Sequence, residues 1–248
     1  LEGSYKLEHI FSLRQAVEAF DFYHRQLMVC DREIESLYAS MPPVQPAENS
    51  SPPPTQTQKP RKNQANFDLA SSLYRMVGVD LTEIDGIHAL TAQTIIAEIG
   101  LDMSRWPTVK HFASWLGLSP NNDISGGKIL RSRTKRTKNK ANTALRMAAQ
   151  SLHSSNSSLG GFYRRMRAKH GPAKAITATA HKLARIIYFM LRDRKAYHDD
   201  GAEHYEKKYL ERVVRNLKRK AKRLGMQVIA DPNGSSTNRN QAIPAVII

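Results

Sequence analysis

The sequence predicts a mainly α-helical protein. Three observations lead there: a long apolar repeat of alternating threes and fours near the N-terminus, amphipathic segments punctuated by glycine and proline beyond residue 66, and no convincing pair of strand-like segments. At 248 residues the chain can bury a real core in one large or two small domains.

The first element is a helix over residues 1–40. Its apolar positions, Leu13, Ala16, Phe20, Tyr23, Leu27, Cys30, Ile34 and Leu37, form the heptad seam of a coiled coil. Its polar flanks carry Arg14, Glu18, Arg25, Arg32, Glu33 and Glu35, as a solvated surface should. The seam asks for a partner helix, either a second copy of the chain, giving a homo-oligomer, or another part of the same protein. The alternative is a helix packed on its own domain.

Residues 41–66 hold seven prolines and few apolar side chains, and are expected to form an extended linker. A helical domain then spans 67–200, with helices at 67–76, 90–99, 108–116, 142–152, 161–169 and 173–191. Gly100, Gly117 and Pro172 supply the breaks between them. A basic helix follows within 201–225, with Tyr209, Val213, Leu217, Ala221 and Leu224 along one face and nine Lys or Arg around it. Residues 226–248 read as turn and flexible tail.

Composition narrows the partner. The 38 Lys and Arg against 22 Asp and Glu leave a formal charge of +16, which favours a polyanion, with nucleic acid ahead of an anionic membrane. No apolar run approaches the roughly 20 residues that a transmembrane helix needs, and the first residues lack signal-peptide order. The chain therefore reads as cytoplasmic, with no membrane partner. A single cysteine, Cys30, excludes an internal disulfide framework and a Cys-based zinc site, and is expected to be a small core residue. The scattered histidines form no metal-ligand pair; His198 and His204, near Asp199, Asp200 and Glu203, read as a solvated helix start. Neither a metal site nor a cofactor is expected in this chain.

Two segments carry candidate chemistry. Residues 81–100, LTEIDGIHALTAQTIIAEIG, have the layout of a helix-hairpin-helix, in which backbone N–H groups at the hairpin face a phosphate. Gly86 fits that role, but His88 stands where a second glycine is usual, and a purely structural hairpin is an equal reading. The second is GLSPNNDISGGKILRSRTKRTKNK, residues 117–140. Ser125 stands before Gly126 and Gly127 in an expected loop, followed by Lys128, Arg131, Arg133, Lys135, Arg136, Lys138 and Lys140 with no acidic residue among them. Seven phosphate contacts would give a salt slope of about −6 in log K on duplex DNA. Arg146 extends this basic set onto the next helix. A serine nucleophile needs a base, a metal or a cationic pocket; the segment offers the cations and no evident base, so by residue chemistry alone Ser125 is a turn residue.

The runs IDGIHALTAQTIIAEIG, HFASWLGLSPNNDISGGK and ANTALRMAAQSLHSSNSSLGGFYRRMRAKHGPAKAITATAHKLARIIYFMLRD, in that order, resemble the C-terminal half of the IS-one-ten and IS-eleven-eleven insertion-sequence transposases. The resemblance spans about 67–224, and EHIFSLRQAVEAFDFYHRQL resembles that family's coiled-coil segment. It implies that Ser125, within ISGGK, is the nucleophile that joins to DNA. It also implies DNA at the element ends and target as partner, a guide RNA, and Mg²⁺ held by a DEDD set of carboxylates in an N-terminal RuvC-like domain. The present sequence begins at the coiled coil, so the expectation is a part that binds but needs that separate domain to cut. A non-catalytic nucleic-acid-binding and oligomerisation module is the alternative reading.

Overall fold

The computed structural model describes residues 3, 5–48, 50–54 and 64–229, and it is mainly helical, as the sequence predicts. The chain divides into two compact units, Leu1–Glu203 and His204–Ile248. The tail from 230 and the linker stretch 55–63 lie outside the described residues.

In the first unit, α1 (Leu7–Ser40) is a 34-residue helix, about 51 Å long at 1.5 Å per residue. Among the described residues no element covers residues 7–30, and Leu13, Phe20, Tyr23 and Leu27 of the heptad seam are exposed. Cys30 is exposed as well, which corrects its expected place in the core: a seam residue is buried only where something packs on the seam. The C-terminal end of α1 behaves differently. Asp31 accepts hydrogen bonds from the Asn66 backbone and side chain at 3.0 and 2.9 Å, the Tyr38 hydroxyl accepts from Gln93 Nε2 at 3.0 Å, and the Tyr38 ring meets Phe67 edge-on. These contacts join α1 to the helical domain, and half-buried Ile34, Tyr38 and Met41 form the contacting stripe.

The proline-rich stretch after α1 is extended but not free. The Val44 and Ala47 N–H groups donate to the carbonyls of Arg75 and Gly78, at the C-terminal end of α2 (Leu69–Val77). Those carbonyls lack partners within the helix, so the strap completes the helix end. Composition registers missing apolar side chains but not this backbone pairing.

The core is built around α7 (Pro172–Asp193), which packs against α4 (Val109–Trp115), α5 (Lys140–Ser151) and α6 (Ser158–His170). α5 also packs against α3 (Ala89–Ile99), and α3 against α2. Small residues allow these approaches: Ala141, Ala148 and Ala149 on α5, and Ala175, Ala180 and Ala184 on α7, are all buried. Tyr188 is fully buried, and its hydroxyl donates to the Trp106 carbonyl at 2.8 Å, linking α7 to the turn before α4. The helices fall close to the predicted bounds, with starts set by caps. α6 begins earlier than the expected residue 161 because the Ser157 hydroxyl accepts from the Gly160 N–H.

A second prediction of the sequence is corrected. Residues 120–134 form an antiparallel strand pair, β1 (Pro120–Ser125) and β2 (Lys128–Thr134), where no pair was expected. Both strands lie almost wholly in solvent, so the alternation of apolar and polar residues that betrays a half-buried strand is missing. Spanning the unit boundary, α8 (Gly201–Arg223) buries none of its residues, and its Leu210, Val214 and Leu217 are exposed.

Gly78 caps α2 at φ 76°, and a Cβ there would lie 2.7 Å from the Gln45 carbonyl oxygen of the strap. Gly78→Ala is expected to destabilise the first unit by about 1–3 kcal/mol and to abolish slow hydrogen exchange at Val44 and Ala47. Unchanged protection of both amides would show that the strap is not held this way.

Candidate nucleic-acid interface

The serine-glycine-glycine segment is the turn of the hairpin. Gly126 and Gly127 take φ 55° and 74°, the two consecutive positive angles of a type I′ turn, which suits the right-handed twist of the flanking strands. Ser125 pairs with Lys128 across this turn, so its hydroxyl sits at the hairpin tip.

A bulge decides which cations share its face. Asp123 pairs with Arg131 but Ile124 pairs with Ile129, leaving Leu130 as an extra residue on β2. Side chains alternate along a strand and paired residues share a face. With the bulge, Ser125, Asp123 and Asn121 on β1 share a face with Lys128, Arg131 and Arg133 on β2. A regular ladder would pair Asp123 with Leu130 and send Arg131 and Arg133 to the other side. The inserted residue thus gathers three cations on the serine's face. The opposite face carries Ile124 and Ile129, both exposed.

The remaining cations lie beyond the ladder. Lys135, Arg136 and Lys138 follow β2 at the hairpin root, and Lys140 opens α5. Gly117, φ 68°, lets this segment close on the end of α4: a Cβ there would lie 2.9 Å from Thr137 Cγ2 and 3.0 Å from the Lys135 oxygen. Buried Asn142 joins the parts. Its Nδ2 donates to the Leu116 carbonyl at 2.6 Å, and its Oδ1 accepts from Arg146 Nε at 3.0 Å. Arg146 then donates to Thr134 Oγ1 at 3.3 Å and to Thr177 Oγ1 at 3.1 Å, tying the hairpin root to α5 and α7. Sequence reasoning picked Arg146 but missed Asn142, Thr134 and Thr177; the only local sign of Asn142 was its place three residues after the helix cap Asn139.

Gly86 and His88 do not join this constellation. The segment before them is a three-residue 3-10 turn, Leu81–Glu83, too short for the first helix of a helix-hairpin-helix. A Cβ on Gly86, φ 85°, would lie 2.8 Å from the Ala148 carbonyl and 3.0 Å from Ser151 Oγ. Its open face is therefore filled by the far end of α5, about 14 Å from Asn142 at 1.5 Å per residue. Asp85 beside it accepts from the Ser155 hydroxyl, a second packing tie. His88 is exposed at the start of α3 and makes no capping bond.

Perturbed ionisations lie away from the hairpin, on α7, in the loop after it and in the turns before α4. Burial, reinforced by Arg185, holds His181 below its ordinary value, and burial also lowers Lys182. Burial and the neighbouring Asp199 hold the Tyr197 hydroxyl well above the usual phenol range. Among the described residues no side chain hydrogen-bonds to Ser125, and no three His, Cys, Asp or Glu side chains converge as a metal ion would need. The described residues do not fit a Mg²⁺ site, and beside the Ser125 hydroxyl the hairpin face carries three cations and Asp123.

Residues 80–164, from the turn before α3 into α6, match the family model of the Transposase IS116/IS110/IS902 family. Over that segment the chain is similar to this family of transposases. The matched segment is about a third of the chain and contains the whole hairpin, its root and α5. No curated protein and no solved structure matches the chain. Among the described residues no helix is long and apolar enough to cross a membrane.

The I′ turn requires left-handed backbone at both glycines. Gly127→Val is expected to destabilise the hairpin by about 1–2 kcal/mol, seen as faster hydrogen exchange across 120–134 with α5 and α7 unchanged. Equal loss of protection in α7 would mean that hairpin and core unfold together.

Proposed function

We propose that this chain is the DNA-binding, serine-bearing portion of a transposase, with Ser125 as the nucleophile and the hairpin cations as its electrostatic support. The observation that carries the proposal is the bulge, which puts Lys128, Arg131 and Arg133 on the face of Ser125. The family match over the same segment supports a role in DNA transposition at an insertion sequence.

In this reading Ser125 Oγ forms a bond to a backbone phosphorus, and the bond from that phosphorus to a sugar oxygen breaks. The leaving oxygen takes up a proton, and the hydroxyl proton of Ser125 goes to a base outside the hairpin. Three cations on one face oppose the negative charge that grows on the phosphoryl oxygens, where preorganised charge acts most strongly. A carboxylate-bearing DEDD domain acting with this chain would supply the base, and would hold Mg²⁺ as the metal chemistry that activates the hydroxyl. The exposed seam of α1 pairs two copies as a coiled coil, which would bring two DNA ends together. The excess positive charge leaves surface for a guide RNA beside the DNA.

Ser125→Ala, in a protein that joins this chain to its carboxylate-bearing domain, is expected to abolish recombination and any covalent serine–DNA adduct while leaving DNA affinity within about twofold. Recombination at the parental rate would reject the nucleophile. For α1, Phe20→Glu with Leu27→Glu is expected to convert a dimer to a monomer in sedimentation; a parent that is already monomeric would reject the coiled-coil pairing.

A further inference from the structure

The hairpin root carries a feature that the serine chemistry does not use. A cleft of about 570 Å³ opens there, lined by Lys135, Arg136, Lys138 and Arg146 together with Thr134 and Thr137. None of these four cations has a carboxylate partner among the described residues. Arg146 is the informative one. Its guanidinium is half-buried and held in one orientation by three neutral acceptors, Asn142 Oδ1, Thr134 Oγ1 and Thr177 Oγ1. A guanidinium that only tied the helices together would gain more from a carboxylate. Neutral acceptors fix its direction while leaving its charge uncancelled, and two of its five N–H donors remain for a ligand. Three more cations at the same opening repel one another unless an anion enters.

We propose that this cleft is a second phosphodiester-binding site, distinct from the serine face, which seats nucleic-acid backbone and so holds the hairpin tip at a set distance along it. The inference rests on the reading of this domain as a nucleic-acid binder. Ser125 and Thr134 lie at opposite ends of the ladder, since Thr134 pairs with Pro120, five residues before Ser125. At about 3.4 Å per residue the tip is about 17 Å from the root, roughly five base-pair steps of duplex. One backbone therefore cannot place the same phosphate at both sites, and the cleft grips a stretch away from the one offered to Ser125. Arg146 is a positioning residue here, and the rigid tie from Leu116 through Asn142 to Arg146 is what makes the distance constant.

The test uses the 248-residue chain and two probes, a 30-base-pair DNA duplex and an RNA hairpin of equal length, with affinity measured against salt concentration. Arg146→Gln is expected to make the slope of log K against log salt shallower by about 0.9 on duplex DNA and to lower affinity about tenfold at 0.1 M salt. Lys135→Ala with Lys138→Ala, both exposed, is expected to act in the same direction and serves if Arg146→Gln fails to fold. Arg146→Lys is expected to keep the slope. The tip variant Lys128→Ala with Arg131→Ala and Arg133→Ala is expected to change the slope independently, so that the two losses add. The probe whose slope responds to the cleft variants identifies the backbone seated there, and a response confined to one probe supports the site for that nucleic acid. Cleft variants with parental affinity and slope on both probes, beside a tip variant that loses both, would overturn the cleft and leave the proposed function standing. Parental behaviour from the cleft and tip variants alike would overturn both.

Discussion

The Asn142 amide lies at the junction on which the placement of the hairpin depends. It donates to the Leu116 carbonyl at the end of α4 and accepts from Arg146, which continues to Thr134 on β2 and Thr177 on α7. An isolated two-stranded hairpin is marginal in water, and this one has almost no buried side chain to steady it. Its orientation therefore comes from its root. The amide is itself buried, so its bonds to Leu116 and Arg146 are costly to lose, because an unpaired polar group would be left in the core. A packed helical body thereby presents an exposed basic arm at a defined place.

Charge and stability are separated in this design. The core of α3, α5, α6 and α7 is built from aliphatic side chains, alanine contacts and the ring cluster of Trp106, Phe112 and Tyr188, with ring centroids 5.0 and 5.5 Å apart along it. Many of the cations sit in solvent, on the hairpin, its root and α8, where solvent screens their mutual repulsion. A surface of one sign costs little when it is kept at the periphery, and it is available where a polyanion approaches. The Leu130 bulge refines this further by choosing which of those cations stand beside the serine.

How much was legible can be judged from particular segments. The helices over 90–99, 142–152 and 173–191 were readable because their apolar residues recur at helical spacing and glycine, asparagine or proline marks their ends. The hairpin was not, because a strand with both faces in solvent has no burial pattern to reveal it. In retrospect, Gly126-Gly127 between two short runs was its only signal. Gly86 was ambiguous for a related reason. A glycine is required wherever a backbone is approached closely, and the sequence does not say whether the approaching atom belongs to a phosphate or, as here, to Ala148 and Ser151.

By itself the sequence determined the helical class, the excess of positive charge, the serine beside a glycine pair, and an apolar seam on α1. These are properties of composition and local spacing, and they survive any arrangement of the elements. Tertiary structure alone decided that the linear basic run becomes two groups, one on the face of Ser125 and one around Arg146. That division follows from strand pairing with one residue inserted and from a buried amide joining α4 to α5, and neither contact is local in the chain. The segment that reads as one strip of charge is, once folded, a tip and a root about 17 Å apart.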